Sequence, residues 1–123
     1  MLLRFEGVYQ SGPHIVAPNT RAEQTYWHYL RFYEDQTVLT VSSVGSPENF
    51  ARWFRKENYP KIYFSLGGYY FEEGQIKFSS TSREGVVDYE GTILKDGLRL
   101  KTFSHITGRS SQREYHFISL PSR

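Results

Sequence analysis

Residues 25–33 read Thr-Tyr-Trp-His-Tyr-Leu-Arg-Phe-Tyr, and this stretch carries the strongest strand signal in the chain. Aromatic and β-branched side chains favour strands because they pack well across a pleated surface. Residues 34–36, Glu-Asp-Gln, then form a tight turn, and residues 37–44, Thr-Val-Leu-Thr-Val-Ser-Ser-Val, run back as a β-branched strand. The two segments predict an antiparallel hairpin.

The same rhythm of short alternating segments and turn residues continues on both sides of this hairpin. A first strand is predicted where alternate positions are occupied by Leu3, Phe5, Gly7 and Tyr9. In the second half, turns are predicted at residues 72–74, 82–85 and 95–97, the last because Asp-Gly tolerates positive φ at both positions. The result is an all-β chain of about eight or nine strands. Consecutive hairpins favour an antiparallel up-and-down barrel, whose closure removes free edges, over a two-sheet sandwich.

One short α-helix is predicted near residues 47–57. Ser46 can cap it, Pro47 suits its first position, and Glu48 complements the positive end of the helix dipole. An apolar stripe at positions i, i+3 and i+4 is formed by Phe50, Trp53 and Phe54. Such a short helix must dock on the barrel by that stripe to be stable.

Composition limits the classes of protein that this chain can represent. Its 123 residues suit a single domain, 1–123, and the ten Tyr, nine Phe and two Trp favour strands. The lack of cysteine excludes disulfides and thiolate chemistry, and no apolar run reaches the roughly 20 residues that span a bilayer. A cytoplasmic protein without membrane insertion is therefore expected. The net charge of +2 comes from scattered residues, not from the basic stripe typical of nucleic-acid binding.

Several short segments resemble a known group of barrels. Gly7-Val8-Tyr9 is similar to a relaxed form of the Gly-x-Trp opening of lipocalins and other calycins. In order and spacing, about two thirds of the chain resembles the calycin-like C-terminal domain of some F-box-only proteins, on residues 29–35, 37–39, 46–48 and 68–71. The chain departs from the pattern in having Tyr9 for the opening Trp, no long C-terminal helix and no F-box. The resemblance implies a barrel and says little about a ligand.

No catalytic constellation or metal motif is visible in the sequence. The four histidines lack the i, i+4 helical spacing or tight cluster of zinc ligands, although His105 and His116 could face each other across the last two strands. The serines lack a nucleophile elbow, and Asp88 and Glu90 are placed outside the barrel. We therefore expect a protein that is not an enzyme and needs no cofactor or metal.

A period of two assigns one set of side chains to the barrel interior. The set comprises Phe5, Tyr9, Tyr26, His28, Leu30, Phe32, Tyr69, Phe71, Ile76, Phe78, Val87, Tyr89, Ile93, Leu98, Leu100, Tyr115 and Phe117. It includes five phenols and an imidazole, and each buried unpaired polar group costs about 1–3 kcal/mol. These groups therefore either bond one another in a filled interior or line a ligand cavity.

Two hypotheses about function follow from this interior. The first is a non-enzymatic binding protein that holds a small apolar or aromatic ligand, contacted by Tyr26, His28, Phe32, Tyr69, Phe71, Phe78, Tyr89, Arg113 and Tyr115. In it, Arg113 is either a partner for a ligand carboxylate or a rim arginine stacked on an aromatic ring. The alternative is a filled barrel that acts as a protein–protein interaction module, through the helix and exposed Trp27, Tyr29 and Tyr33. Single-stranded nucleic-acid binding and enzymatic activity are less favoured.

Overall fold

The structure is a computed structural model that describes residues 2–44, 54–55, 65–82 and 85–120. Within these ranges it contains nine strands. They are β1 (Gly7–Ser11), β2 (His14–Val16), β3 (Gln24–Phe32), β4 (Thr37–Ser43), β5 (Ser65–Glu72), β6 (Gln75–Ser82), β7 (Gly85–Leu94), β8 (Gly97–Ser104) and β9 (Ser110–Ser119).

Eight of these strands close into an antiparallel barrel. From β3 to β9 each strand pairs with the next one in sequence, and β1 pairs with both β3 and β9 to complete the ring. β2 continues β1 along β3, but with one additional residue: Gln10 pairs with Tyr29, and His14 pairs with Tyr26. The extra residue makes a bulge at Gly12 and Pro13, and the chain bends there between β1 and β2. The expected barrel is thus present, in place of a sandwich of two open sheets.

The barrel interior is packed with alternate side chains of the strands. Its buried members are Leu3, Tyr9, Leu30, Phe32, Val38, Tyr69, Ile76, Phe78, Tyr89, Leu98, Leu100 and Tyr115, with Phe5, Val87, Ile93 and Phe117 packed against them. The period-two assignment is confirmed at most of its positions. Phe71 is an exception, since the residue is 56% exposed. It stands next to the hairpin at the end of β5, beyond Gly68, where the pairing of β5 with β4 ends.

Aromatic rings fill the middle of the interior. The Phe32 ring meets the rings of Tyr9, Tyr69 and Phe78 edge-on, at centroid distances of 5.6, 5.3 and 5.5 Å. Phe78 in turn stacks on Tyr89 at 4.6 Å. These are the separations that aromatic pairs prefer, so the centre of the barrel is a packed core of rings.

A second hydrophobic cluster lies on the outer wall, around β3 and β4. It contains Val8, Tyr29, Leu39, Val41, Phe54 and Leu120, with Trp27, Tyr33, Leu66 and Ile118 at its edge. The prediction that Trp27, Tyr29 and Tyr33 form an exposed surface is therefore wrong: Tyr29 is fully buried and the other two are partly buried. The reason is that Phe54, from the long connection between β4 and β5, covers this face.

The predicted helix near residues 47–57 is wrong where the structure describes that segment. Phe54 has no regular secondary structure, Arg55 lies in a bend, and no helix occurs in the described part of the chain. The Phe54 carbonyl accepts a hydrogen bond from Arg31 Nη1 at 3.0 Å, and its ring is buried in the outer cluster. Since a short segment gains little from helix propensity alone, these tertiary contacts decide its conformation. The other residues of the predicted helix lie outside the described ranges, and no described segment is a helix able to cross a membrane.

The two ends of the barrel differ. At one, which we call the closed end, tight turns join β3 to β4, β5 to β6 and β7 to β8, and Leu3 is buried there. The Arg4 backbone N–H donates a hydrogen bond to the Tyr9 hydroxyl at 3.0 Å, which fastens the N-terminal segment to the core. At the other end, which we call the mouth, β6 and β7 are joined by two residues, but the connections from β2 to β3, β4 to β5 and β8 to β9 are longer. The mouth is where polar side chains enter the interior.

Two glycines allow neighbouring strands to approach closely in this small barrel. A Cβ atom on Gly91 would lie 1.9 Å from the carbonyl oxygen of Arg99. One on Gly67 would lie 1.8 Å from the carbonyl oxygen of Ser79. Because the obstructing atoms belong to the backbone, any larger residue would push the strands apart.

Candidate functional site

Six polar and aromatic side chains come together at the mouth. β2 supplies His14, β3 supplies Tyr26 and His28, β7 supplies Tyr89, and β9 supplies Arg113 and Tyr115. We call this set the mouth cluster. It forms because positions two apart on a strand share a face, so the inward faces of three barrel strands meet here.

His28 is the centre of the cluster. Its Nδ1 atom lies 3.0 Å from the Tyr115 hydroxyl, and its Nε2 atom lies 3.4 Å from the Tyr89 hydroxyl. Its backbone N–H donates to Ser11 Oγ at 2.9 Å, which anchors β3 beside the bulge. A neutral imidazole donates from one ring nitrogen and accepts at the other, and phenols can take both complementary roles. The ring is therefore held from both sides.

Burial keeps the imidazoles of the cluster neutral. It lowers the pKa of His28 from 6.5 to about 3, and the positive charges of Arg113 and His14 add to the shift. The pKa of His14 is lowered in the same way, first by burial and then by Arg113. Burial also raises the pKa of the Tyr89 and Tyr115 phenols, which stay protonated. At neutral pH, Arg113 thus carries the positive charge of the cluster.

Arg113 has more hydrogen-bonding capacity than its surroundings use. Its Nη1 donates a long hydrogen bond, 3.4 Å, to the Tyr115 hydroxyl, and the guanidinium also hydrogen-bonds the Tyr89 side chain. Within the described ranges its guanidinium forms no ion pair, since the four ion pairs found there involve other residues. A guanidinium offers five N–H donors, and this side chain is partly buried. Arg113 can therefore accept a further, anionic partner.

Hydroxyl pairs extend the polar lining of the mouth. Thr40 Oγ1 and Ser80 Oγ lie 3.0 Å apart, and both residues are buried. Thr102 Oγ1 and Ser111 Oγ lie 2.7 Å apart on the neighbouring strands β8 and β9. The interior thus changes from rings at the closed end to hydroxyls, imidazoles and one guanidinium at the mouth.

The predicted ligand-binding residues divide into three groups. Tyr26, His28, Tyr89, Arg113 and Tyr115 are brought together in the mouth cluster. Phe32, Tyr69 and Phe78 belong to the ring core, each no more than 5% exposed. Phe71 is exposed at the closed end. The structure does not bring the nine residues around one common cavity.

His14 belongs to the site, although it was not among the predicted ligand-binding residues. Its ring stacks on Tyr26 with centroids 5.1 Å apart and planes 18° apart. The signal that could have revealed it is Ile15-Val16, a β-branched pair directly after Pro13. Three residues are too few for a period-two pattern to stand out.

The barrel wall is split beside the mouth cluster. The pairing of β1 with β9 ends at Ser11 opposite Tyr115, and the described pairing of residues 110–114 is with β8 alone. β2 pairs with β3 alone in the same part of the structure. Pro13 lacks an N–H and cannot continue the ladder, which explains why the strands part at this point. His14 lies on one side of this split and Arg113 on the other.

A hydrogen-bonded group on the outer wall has the residue types of a catalytic triad but not its connectivity. Asp88 accepts from Ser79 Oγ at 2.5 Å and lies 2.7 Å from His105 Nε2. Both contacts lower the pKa of Asp88, that of Ser79 most. In a triad, histidine stands between serine and carboxylate to act as base, whereas here the carboxylate is in the middle. The group is a hydrogen-bond network on the surface.

The prediction that His105 and His116 could face each other across the last two strands is wrong. His116 is opposite Gly97, near the closed end, whereas His105 follows the end of β8 at the mouth. Among the residues that the structure describes, no three His, Cys, Asp or Glu side chains converge as metal ligands would.

A shallow, open depression of about 490 Å³ lies outside the barrel wall, between Asp88, Glu90, Lys101, Phe103 and Gln112.

The chain is similar in sequence to a known F-box protein, although no family model matches it. This relative is the F-box protein HRT3 of Saccharomyces cerevisiae, with 31% identity over 123 aligned positions. The alignment covers 85% of this chain and 36% of HRT3, so the chain spans little more than a third of the length of that relative.

Proposed function

We propose that this barrel is a non-enzymatic protein-interaction module and that its mouth is the surface that meets the partner. The observation that carries the proposal is the contrast between a ring-filled interior and a mouth with unused hydrogen-bonding capacity around Arg113. Similarity to an F-box protein supports a protein partner. A cytoplasmic location, which the lack of cysteine favours, belongs to the same proposal.

The packing of the core argues against a ligand held deep in the barrel. Phe32, Phe78 and Tyr89, which would line such a cavity, contact one another and are at most 3% exposed. A ligand in their midst would have to displace a close-packed core. Recognition at the rim requires no such displacement, and loops on a rigid scaffold commonly carry binding residues.

A second candidate is a small aromatic or apolar ligand bound at the mouth, within a calycin-like barrel. The phenols of Tyr26, Tyr89 and Tyr115 favour it, because ligand sites combine apolar walls with a few placed polar groups. Native mass spectrometry of the chain purified from its own source separates the candidates. An interaction module should appear at the mass of the polypeptide, and a ligand carrier should appear with a bound small molecule.

Site-specific photo-crosslinking tests the interaction module directly. A benzophenone amino acid is placed at Ile15, beside the mouth, or at Phe71, at the closed end. These positions are matched in exposure, 55% and 56%. We expect a protein adduct from position 15 that excess untagged chain suppresses, and no such adduct from position 71. The captured protein should then bind the purified chain in calorimetry.

A mouth variant provides the second control. Tyr26→Ala removes the ring stacked on His14 without touching the ring core, so it should weaken binding of the captured protein while the barrel remains folded. Equal adducts from positions 15 and 71, or unchanged affinity in Tyr26→Ala, would show that the mouth is not the interface.

A further inference from the structure

We propose that the mouth cluster binds a carboxylate carried by an extended segment of the partner, with Arg113 as the anchor. The identity of the ligand as part of a protein rests on the proposed function above. The carboxylate is either the C-terminus of that segment or a Glu or Asp side chain, and both present the same planar pair of oxygens.

The hydrogen-bonding groups of the cluster match a carboxylate. The guanidinium of Arg113 can form two parallel N–H···O bonds to a carboxylate, stronger than bonds between neutral groups. The phenols of Tyr89 and Tyr115 lie beside it. One of them donates its O–H to the unprotonated nitrogen of His28, and the other, which accepts from His28, can donate to the ligand. Partial burial of Arg113 excludes part of the solvent, which strengthens a charge pair relative to one on the open surface.

The charge of the cluster favours a monoanion over a phosphate group. Arg113 provides one positive charge, while burial and Arg113 itself hold His14 and His28 in their neutral forms. In the described part of the chain, no carboxylate is paired with Arg113. A monoanion would neutralise the site, whereas a phosphate dianion would leave an uncompensated charge partly removed from water.

The split in the barrel wall provides room for an extended segment beside Arg113. Strand edges that pair on one side only lie along β2 and along residues 110–114 of β9, and such edges can accept an added strand. Ile15 and Val16, 55% and 49% exposed, stand next to the split and offer apolar contacts. An extended peptide can thus place a carboxylate on Arg113 and its backbone along β2.

The test uses histidine NMR signals of the intact chain at pH 7, titrated with benzoate, its neutral isostere benzamide, and phenyl phosphate, which is mostly a dianion at this pH because its second pKa is about 6. We expect benzoate to shift the ring signals of His14 and His28 in a saturable manner, with benzamide and phenyl phosphate far weaker. Arg113→Gln should raise the dissociation constant for benzoate about tenfold or more, as expected for loss of charged hydrogen bonds. The dissociation constant of Arg113→Lys should lie between those of the wild type and Arg113→Gln, since lysine keeps the positive charge but cannot form two parallel hydrogen bonds to a carboxylate.

Arg109→Gln is the matched control, because it removes the same charge from an exposed residue near the mouth. Equal effects of the two glutamine variants, or equal binding of benzoate and benzamide, would overturn the carboxylate site. Preference for phenyl phosphate would overturn the monoanion argument. A thermal melt of each variant verifies that the barrel is folded.

Peptides distinguish the sources of the carboxylate. Acetylated pentapeptides are compared as the C-terminal acid, as the amide, and as the amide with Glu or Gln at the last position. Binding of the acid or of the Glu peptide, lost in Arg113→Gln, supports the proposal and identifies the source. If benzoate binds and no peptide does, the peptide part of the proposal fails. If the crosslinked partner binds Arg113→Gln normally, the carboxylate site fails while the interaction module stands.

Discussion

The closed end and the mouth of this barrel are built from the same strands yet satisfy different requirements. At the closed end, Phe32 sits among three edge-on rings, and tight turns join the strands. At the mouth, His28 is held between two phenols, and Arg113 forms no ion pair within the described ranges. The comparison teaches that the apolar end supplies stability, which allows the other end to hold a partly desolvated cation.

The largest expected effect tests the stabilising end. Phe32→Ala should lower the free energy of unfolding by about 3–5 kcal/mol, because a ring is removed from a close-packed core. If this variant does not fold, Phe32→Leu should cost about 1–2 kcal/mol instead. Urea denaturation gives both values. Phe71→Ala, at the same end but exposed, should change stability by about 0.5 kcal/mol or less, and a similar small loss for Phe32 would mean that the middle of the barrel is not packed.

A smaller loss of stability is expected where strands cross closely. Gly91→Ala should cost about 1–3 kcal/mol, because the added methyl would collide with the Arg99 carbonyl and must be relieved by backbone shifts. Gly12→Ala is the control, since a Cβ there meets no atom within 4 Å. Thermal denaturation compares the two. Equal melting temperatures would show that strand spacing in the barrel is not restricted at Gly91.

The burial of His28 at the mouth should make the stability of the protein depend on pH. His28 takes up a proton near pH 6.5 in the unfolded chain but only near pH 3 in the barrel. Unfolding is therefore favoured by acid in the window between these values, and the contribution of His28, complete above pH 6.5, is lost as the pH falls. Between pH 7 and 5.5 the loss attributable to His28 should be about 1 kcal/mol.

Comparison with His28→Gln isolates this contribution, because the other titrating groups are common to both proteins. Urea denaturation across the window should give a flatter pH dependence for the variant. His116→Gln, which removes an exposed histidine from β9, should retain the wild-type slope. Identical slopes for wild type and His28→Gln would mean that water reaches the imidazole freely.

The smallest effect is expected on the outer wall. Asp88→Asn and His105→Gln should each change stability by about 0.5 kcal/mol or less, because both side chains are about half exposed and exposed ion pairs contribute little. Differential scanning calorimetry should detect hardly any shift in melting temperature. A loss comparable to that of Gly91→Ala would assign the Ser79–Asp88–His105 group a structural role that its exposure does not suggest.

The sequence by itself determined the strands and most of their inward faces. Alternation along residues 25–33 and 113–120 was sufficient to place Leu30, Phe32 and Tyr115 inside, because a period of two is a local property of the extended backbone. The same rule assigned Tyr26, His28, Tyr89 and Tyr115 to inward faces, so local alternation alone identifies four members of the mouth cluster. Arg113 was predicted as a rim residue and not from the alternation.

Only the tertiary structure decided which inward residues become core and which become site. Phe71 obeys the alternation and is nevertheless exposed, because β5 extends past the end of its pairing with β4. Tyr29 faces outward and is nevertheless buried, because Phe54 covers it. Local patterns assign a side chain to a face of a strand. What covers that face, and where along the barrel axis it lies, depend on contacts between residues distant in sequence.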